Sequence, residues 1–223
     1  MVENKLIGLY GGAFDPIHNA HLSIARNCIQ KIGLEKVIFI PTGNSPTYKN
    51  LTAHHHRLEM LNKIKINNFF EISDFEIKAY LNHKKVSYTL NTLKYFKENN
   101  KSTLIFIIGK DAFSSINKWY RWDEILRYCH LVLVDRSPIR LNTNKISTEV
   151  QSFLNDNLTT DINDLKKYNQ GKIYSIQMPN FEESSSQIRC GLNKDLDIKK
   201  LIPEAIHNYI LHNKLYNSSG HNK

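Results

Sequence analysis

Acidic residues are outnumbered in this chain of 223: 21 Asp and Glu stand against 30 Lys and Arg, a formal net charge of +9. Cysteine is scarcer still. Cys28, Cys129 and Cys190 are odd in number and widely spaced, with no C-x-x-C pair. That pattern argues against a disulfide framework or a zinc site and fits reduced thiols in a cytoplasm. Long apolar runs are missing too. The densest, 104–108 and 131–134, fall far short of the roughly 20 residues that span a bilayer, so no membrane role is expected. Residues 1–10 carry no basic patch leading into a long apolar stretch, so no secretory signal is expected either. Neither the P-loop pattern nor G-x-G-x-x-G occurs, which removes two common phosphate cradles.

The basic surplus admits two uses, attraction of polyanions or the gathering of small phosphorylated substrates into a cleft. It consists largely of Lys scattered among Asn and Ile, with no Arg-rich arm. A nucleic-acid-binding module would need a continuous basic face with interleaved aromatics, and no RRM, KH or zinc-finger pattern is present. No nucleic-acid partner is therefore expected.

What remains is a globular balance of 41% apolar and 23% charged residues, long enough to bury a core. Short apolar runs alternate with segments of helical period. Strands are expected at 6–10, 37–41, 70–73, 104–108 and 130–135. Helices are expected after the first strand, with Leu22, Ala25, Ile29 and Ile32 on one face up to Gly33, and again near 56–66 and 88–97. The two runs at 104–108 and 130–135 are almost continuously apolar, as in central parallel strands covered on both faces. The order βαβαβ predicts an open parallel α/β sheet with right-handed crossovers, helices on both faces and the C-terminal helices packed on one side. One domain over 1–216 with a frayed tail at 217–223 is the simplest division. The Asn-rich stretch 142–170 reads as a surface excursion with a short helix near 149–154. In such sheets ligands bind beyond the carboxyl ends of the strands, so the residues that follow each strand are the ones of interest.

The first strand leads into Gly11-Gly12-Ala13-Phe14-Asp15-Pro16-Ile17-His18-Asn19-Ala20-His21. Two glycines at a strand end let the backbone approach a bulky anion and expose its N–H groups. His18 and His21, three residues apart at a helix start, share one face near the positive end of the helix dipole, where phosphate oxygens are favoured. The plainer reading, a capped helix with two surface histidines, would win for an isolated H-x-x-H. The preceding strand and glycine pair tip the balance. Further along, the serines at 184–186 open a segment with Arg189 three residues after Ser186, a set that can supply hydroxyls, free N–H groups and a guanidinium fork to phosphate. Gly109-Lys110-Asp111 follows a buried strand, where Asp111 can accept from ribose hydroxyls or cap the next helix. The His54-His55-His56 tract has no carboxylate at useful spacing, so it reads as helix-start polarity and no metal site is expected.

These blocks together resemble a known family. Gly-Gly-x-Phe-Asp-Pro-x-His-x-x-His is similar to the signature of the nucleotidyltransferase superfamily that usually ends His-x-Gly-His, most closely the bacterial nicotinate-nucleotide adenylyltransferases. The likeness continues in order through His56-Arg57-Leu58-Glu59-Met60-Leu61, Ser87-Tyr88-Thr89, Gly109-Lys110-Asp111, Trp119 with Arg121-Trp122, the serines with Arg189, and residues 203–216. The resemblance implies a Rossmann-like fold and an enzyme that joins nicotinate mononucleotide to the AMP part of ATP, releasing pyrophosphate on the route to NAD. It implies His21 at the reacting α-phosphate and His18 supporting the triphosphate. Gly11, Gly12 and Phe14 would form the floor, Gly109 and Asp111 would meet the nucleoside, and Ser186 and Arg189 would bind the β- and γ-phosphates. Tyr88, Thr89, Trp119 and Lys49 would hold the acceptor, with Trp119 stacked on the pyridine ring and Trp122 left to packing. The implied partners are ATP, which brings Mg²⁺ with it, and nicotinate mononucleotide. A homo-oligomer is left open. Runner-up readings are adenylyl or cytidylyl transfer to another phosphate such as phosphopantetheine, and, from charge alone, nucleic-acid binding.

The chain departs from the family's pattern in places. Ala20 stands where Gly is usual, Tyr48 replaces the usual His before Lys49, Asn91 stands for Asp, Ser186 for Thr, and Glu183 for an apolar residue. None of these removes His18, His21, Asp111 or Arg189.

Overall fold

The structure is a computed structural model that describes residues 5–46, 50–64, 68–135, 146–179, 183–194, 196 and 198–216. The expected tail at 217–223 lies outside the described residues. Seven strands form one sheet: β1 (Leu6–Gly12), β2 (Lys36–Pro41), β3 (Phe70–Ile72), β4 (Thr103–Gly109), β5 (His130–Asp135), β6 (Leu158–Thr159) and β7 (Ile173–Gln177). Their order is β3-β2-β1-β4-β5-β7-β6 and every pairing is parallel. This is the expected α/β, Rossmann-like sheet. The chain moves outward from β1 to β3 on one side, then returns to place β4 on the other flank of β1. The order therefore reverses between β1 and β4, and a crevice opens beyond their carboxyl ends.

The helices are α1 (Asn19–Cys28), α2 (His54–Asn62), α3 (Phe75–His83), α4 (Thr89–Asn99), α5 (Lys110–Phe113), α6 (Thr148–Asn157), α7 (Asp164–Lys167), α8 (Ser185–Asn193) and α9 (Glu204–His212). Alternation along the strands divides the core in two. Leu6, Tyr10, Val37, Phe39, Ile105 and Val132 face a layer built by α1, α2, α8 and α9, whose contributions include Leu22, Met60, Ile188 and Ile206. Ile7, Leu9, Ile38, Phe106 and Leu131 face the opposite layer with Leu93 and Phe96 of α4 and Val150 and Leu154 of α6. The C-terminal helices thus lie on the α1 face. Among the described residues no helix is long and apolar enough to cross a membrane.

Gly33 ends the first helical segment at φ +79, a conformation that costs a glycine little. A π-helical turn at Ile29–Gly33 carries Ile32 into the core and leaves Ile29 partly buried. Four elements, α3, α7, β6 and β7, are absent from the sequence expectations. Helix α3 buries only Ile77 and leaves Leu81, one turn on, exposed, so no buried stripe of helical period marks it. Strand β7 buries only Ile173 and Ile176 among its five residues, and β6 is two residues long. Helix α2 starts two residues earlier than expected, on the histidine tract itself, and ends at Asn62. The helix expected near 149–154 is present and longer, opened by Ser147, whose side chain accepts from the Val150 N–H.

Candidate active site

The turn after β1 is built around two aromatic rings and two imidazoles. Gly12 pairs with Pro41 at the end of the β1–β2 ladder. Phe14 then takes φ +48, unusual for a bulky residue, and its fully buried ring packs edge-on against Tyr10, Phe39 and His21 at centroid distances of 5.6, 5.5 and 5.1 Å. That packing holds the turn in a conformation the backbone alone would disfavour. His18 is the N-cap of α1 and is buried; His21, in the first turn, is half-buried. The His18 N–H donates to Nδ1 of His21 at 3.4 Å, and the two rings lie 3.8 Å apart. With Nδ1 accepting, a neutral His21 ring carries its proton on Nε2, a donor on the side away from the helix cap.

A segment about 170 residues later docks on the same turn. Ser184 caps α8 by accepting from the Gln187 N–H, Ser185 Oγ donates to the Pro16 carbonyl at 3.0 Å, and Arg189 Nη1 donates to the Asp15 carbonyl at 2.6 Å. Arg189 Nη2 also reaches the exposed Ser186 Oγ at 3.4 Å. The expected meeting of imidazoles, serines and guanidinium is therefore present. Beneath it lies polar support that sequence reasoning left without roles. Asp15 is buried, its carboxylate accepting from Tyr216 Oη at 2.6 Å and from the Thr52 N–H at 3.0 Å. Arg57, fully buried, donates through Nε, Nη1 and Nη2 to the carbonyls of Thr52, Ala13 and Thr42 at 2.9, 2.9 and 2.7 Å. Burial pushes the Arg57 pKa down, and the neighbouring Asp15 opposes that shift. Both residues stand inside blocks that carry the family resemblance, which was the available signal.

Beside this turn is a cleft of about 280 Å³ whose walls include Gly11, Gly12, Thr42, Tyr88, Thr89 and Trp119. A Cβ at Gly11 would lie in ordinary contact, 3.7 Å, with the Phe106 ring of the cleft wall. Trp119, which lines the cleft, stands edge-on to Phe106 at 6.4 Å, and the Tyr88 ring tilts toward Tyr120 at 4.7 Å. Trp122 instead packs against Phe153, as expected of a packing residue. Tyr88 is the N-cap of α4 and its side chain makes no capping bond, so the N-terminus of that helix adjoins the cleft uncapped. His18, His21, Asp111, Ser186 and Arg189 do not line the cleft itself; Gly11 and Gly12 connect it to the histidine turn. Gly109 ends β4 and caps α5, with open space around its Cα. Asp111 is exposed in the first turn of α5 and is not the helix cap, because the chain already turns helical at Lys110. Lys110 is held by Asp135, 2.5 Å away across β4 and β5. Lys49 and Tyr48 lie outside the described residues. Among the described residues no group of three or more His, Cys, Asp or Glu is placed to hold a metal ion.

A model of the cytidylyltransferase-like family matches residues 9–191. A Clostridium botulinum protein (strain Okra / Type B1) described as a probable nicotinate-nucleotide adenylyltransferase is 36% identical over 217 residues, covering 96% of this chain and 98% of the relative. The chain belongs to the nicotinate-nucleotide adenylyltransferase family. A Psychromonas ingrahamii adenylyltransferase of the same description is 32% identical over 216 residues, with 96% and 99% of the two chains covered. The solved Plasmodium falciparum nicotinic acid mononucleotide adenylyltransferase complexed with NaAD shares the fold, with a TM-score of 0.71 at 24% identity over 95% of this chain and 97% of that one. Membership of this adenylyltransferase family accounts for the order of the sequence blocks. Each described block falls on the carboxyl edge of the sheet or on an element that supports it.

Proposed function

We propose that this protein transfers the adenylyl group of ATP to nicotinate mononucleotide, forming nicotinate adenine dinucleotide and pyrophosphate. A phosphate oxygen of the mononucleotide attacks the α-phosphorus of ATP. The bond from that phosphorus to the α,β-bridging oxygen breaks, and its electron pair leaves with pyrophosphate. No protein nucleophile is needed, so the chain's task is to align two phosphates and stabilise the charge that builds on the transferring group.

The observation that carries this reading is the contact of Arg189 with the Asp15 carbonyl. It brings the serine-rich start of α8 and the paired imidazoles to one turn, next to a cleft with an aromatic wall. In this reading His21 offers Nε2–H to an α-phosphate oxygen and His18 supports the triphosphate over Gly11, Gly12 and Phe14. Ser186 and Arg189 take the β- and γ-phosphates, while Gly109 and Asp111 meet the nucleoside. The acceptor enters the cleft, with its ring against Trp119 and its carboxylate toward the N-terminus of α4 at Tyr88 and Thr89. Lys49 is assigned to the acceptor's phosphate. Imidazoles, hydroxyls and a guanidinium suit phosphate oxygens better than a hard dication. Mg²⁺ is accordingly assigned to the ATP phosphates and water, where it neutralises charge.

The test is pyrophosphate release from Mg-ATP with nicotinate mononucleotide, nicotinamide mononucleotide and phosphopantetheine in turn. The reading expects the acid to be preferred by at least about tenfold in kcat/KM, because an anion gains most from helix N–H donors. Equal turnover of acid and amide, or turnover of phosphopantetheine alone, would overturn it.

A further inference from the structure

Glu76 is a carboxylate at the cleft wall that the proposed transfer leaves unused. It belongs to α3, the helix that buries only Ile77. Its Oε1 accepts the Thr92 hydroxyl at 2.7 Å, and the nearby Ser87 and Thr42 side chains and Gly43 backbone favour its charged form. Burial pushes the Glu76 pKa up, and these polar neighbours draw it back.

The partners matter more than their number. Ser87 Oγ also accepts the N–H groups of Gly43 and Asn44 at 3.1 and 3.2 Å, and the Ser87 N–H donates to the Asn44 carbonyl at 2.7 Å. At Gly43 a Cβ would lie 2.2 Å from the Glu76 carbonyl oxygen, so the loop after β2 rests directly on α3 and only glycine fits there. Three segments thus meet at Glu76: 42–44 after β2, the start of α3, and 87–92 at the start of α4. Ser87 immediately precedes the N-cap of α4, and Thr92 lies one turn inside that helix. Glu76 therefore holds the first turn of α4 directly through Thr92, while the loop seated on the Glu76 backbone holds its start through Ser87, and the same turn borders the acceptor cleft.

We propose that Glu76 is a positioning residue for the acceptor. It holds the first turn of α4 so that the free N–H groups there meet the ring carboxylate, and in this way sets the preference for acid over amide. The inference rests on the adenylyl-transfer reading above and adds the group that shapes its specificity. Because Glu76 touches hydroxyls and backbone, its removal should act through binding of one substrate and leave the chemistry of phosphoryl transfer in place.

Steady-state kinetics of the full chain, with both mononucleotides and Mg-ATP varied separately, provide the test. Glu76→Gln keeps the shape and removes the charge that the Thr92 hydroxyl and its polar neighbours face. It is expected to raise KM for nicotinate mononucleotide about tenfold while KM for Mg-ATP and kcat stay within about twofold. KM for the amide is expected to stay unchanged, so the acid-to-amide preference falls about tenfold. Thr92→Val should shift the same KM about threefold, and the double variant should be no worse than Glu76→Gln alone, since both act through one network. An unchanged KM for the acid in Glu76→Gln, or a parallel rise in all three KM values, would overturn the proposal. If Glu76→Gln does not fold, Thr92→Val decides by the same criterion. Wild-type protein that turns over neither mononucleotide would instead remove the reaction, and this inference with it.

Discussion

The phenol of Tyr216 donates a 2.6 Å hydrogen bond to Oδ1 of Asp15, fastening the end of the described chain beneath the loop that follows the first strand. Both groups are buried, and the other carboxylate oxygen of Asp15 is already engaged by the Thr52 N–H. Tyr216→Phe keeps the ring and leaves a buried carboxylate oxygen without its donor. The expected loss is about 1–3 kcal/mol of unfolding free energy, read from the urea midpoint at unchanged m-value. The Asp15 carbonyl that receives Arg189 sits on the same residue, so a modest rise in KM for ATP should accompany it.

Removing the proposed donor to the α-phosphate should affect rate far more than stability. His21 is half-buried, and its Nδ1 accepts the His18 N–H at 3.4 Å. His21→Ala is expected to lower kcat by about 10²–10³ with a thermal midpoint close to wild type. A midpoint that collapses with activity would mark His21 as a structural cap and remove it from the reaction.

Arg189 separates two roles that a simple positive charge would merge. One nitrogen is committed to the Asp15 carbonyl and the other faces Ser186. Arg189→Ala should raise KM for ATP about tenfold or more. Arg189→Lys should recover only part of that loss, because an ammonium cannot span both positions in a fork. Full recovery by Lys in ATP titrations would show that charge alone is used.

His130 predicts a pH effect on stability away from the site. Its Nε2 bonds to the Tyr168 carbonyl at 2.8 Å and its Nδ1 accepts the Lys172 N–H at 2.9 Å, which fixes the neutral ring. Desolvation, aided by Lys97 and Lys172, lowers its pKa below the ordinary 6.5. A depressed folded value means that the unfolded chain binds the proton more readily. The contribution is full above 6.5 and is lost as pH falls from there through the folded value. Wild-type unfolding free energy should therefore decline across that window more steeply than that of His130→Gln, as chemical denaturation at a series of pH values would show.

Several parts of this molecule were legible one segment at a time. The near-continuous apolar runs of β4 and β5 announced central parallel strands, because both of their faces are covered. The glycine pair, histidines and serine run carried their chemistry in residue type and spacing. Helix α3 was not legible, since it buries one apolar residue and is held by contacts with the β2 loop and α4. Glu76 was hidden with it. Nothing about an isolated Asp-Phe-Glu-Ile says that the glutamate will meet Thr42, Ser87 and Thr92.

By itself the amino-acid order determined the alternation of strand and helix, the parallel sheet and the identity of the groups that can bind phosphate, because periodicity and side-chain chemistry are local properties. Only the tertiary structure decided which of those groups meet. Asp15 and Arg189 lie 174 positions apart along the chain, yet they are joined by one 2.6 Å hydrogen bond. That bond exists because the α8 face that buries Ile188 and Leu192 docks in the same apolar layer as the α1 face that buries Leu22 and Ala25. Burial of apolar surface drives that docking, and the phosphate-binding groups are carried into register by it.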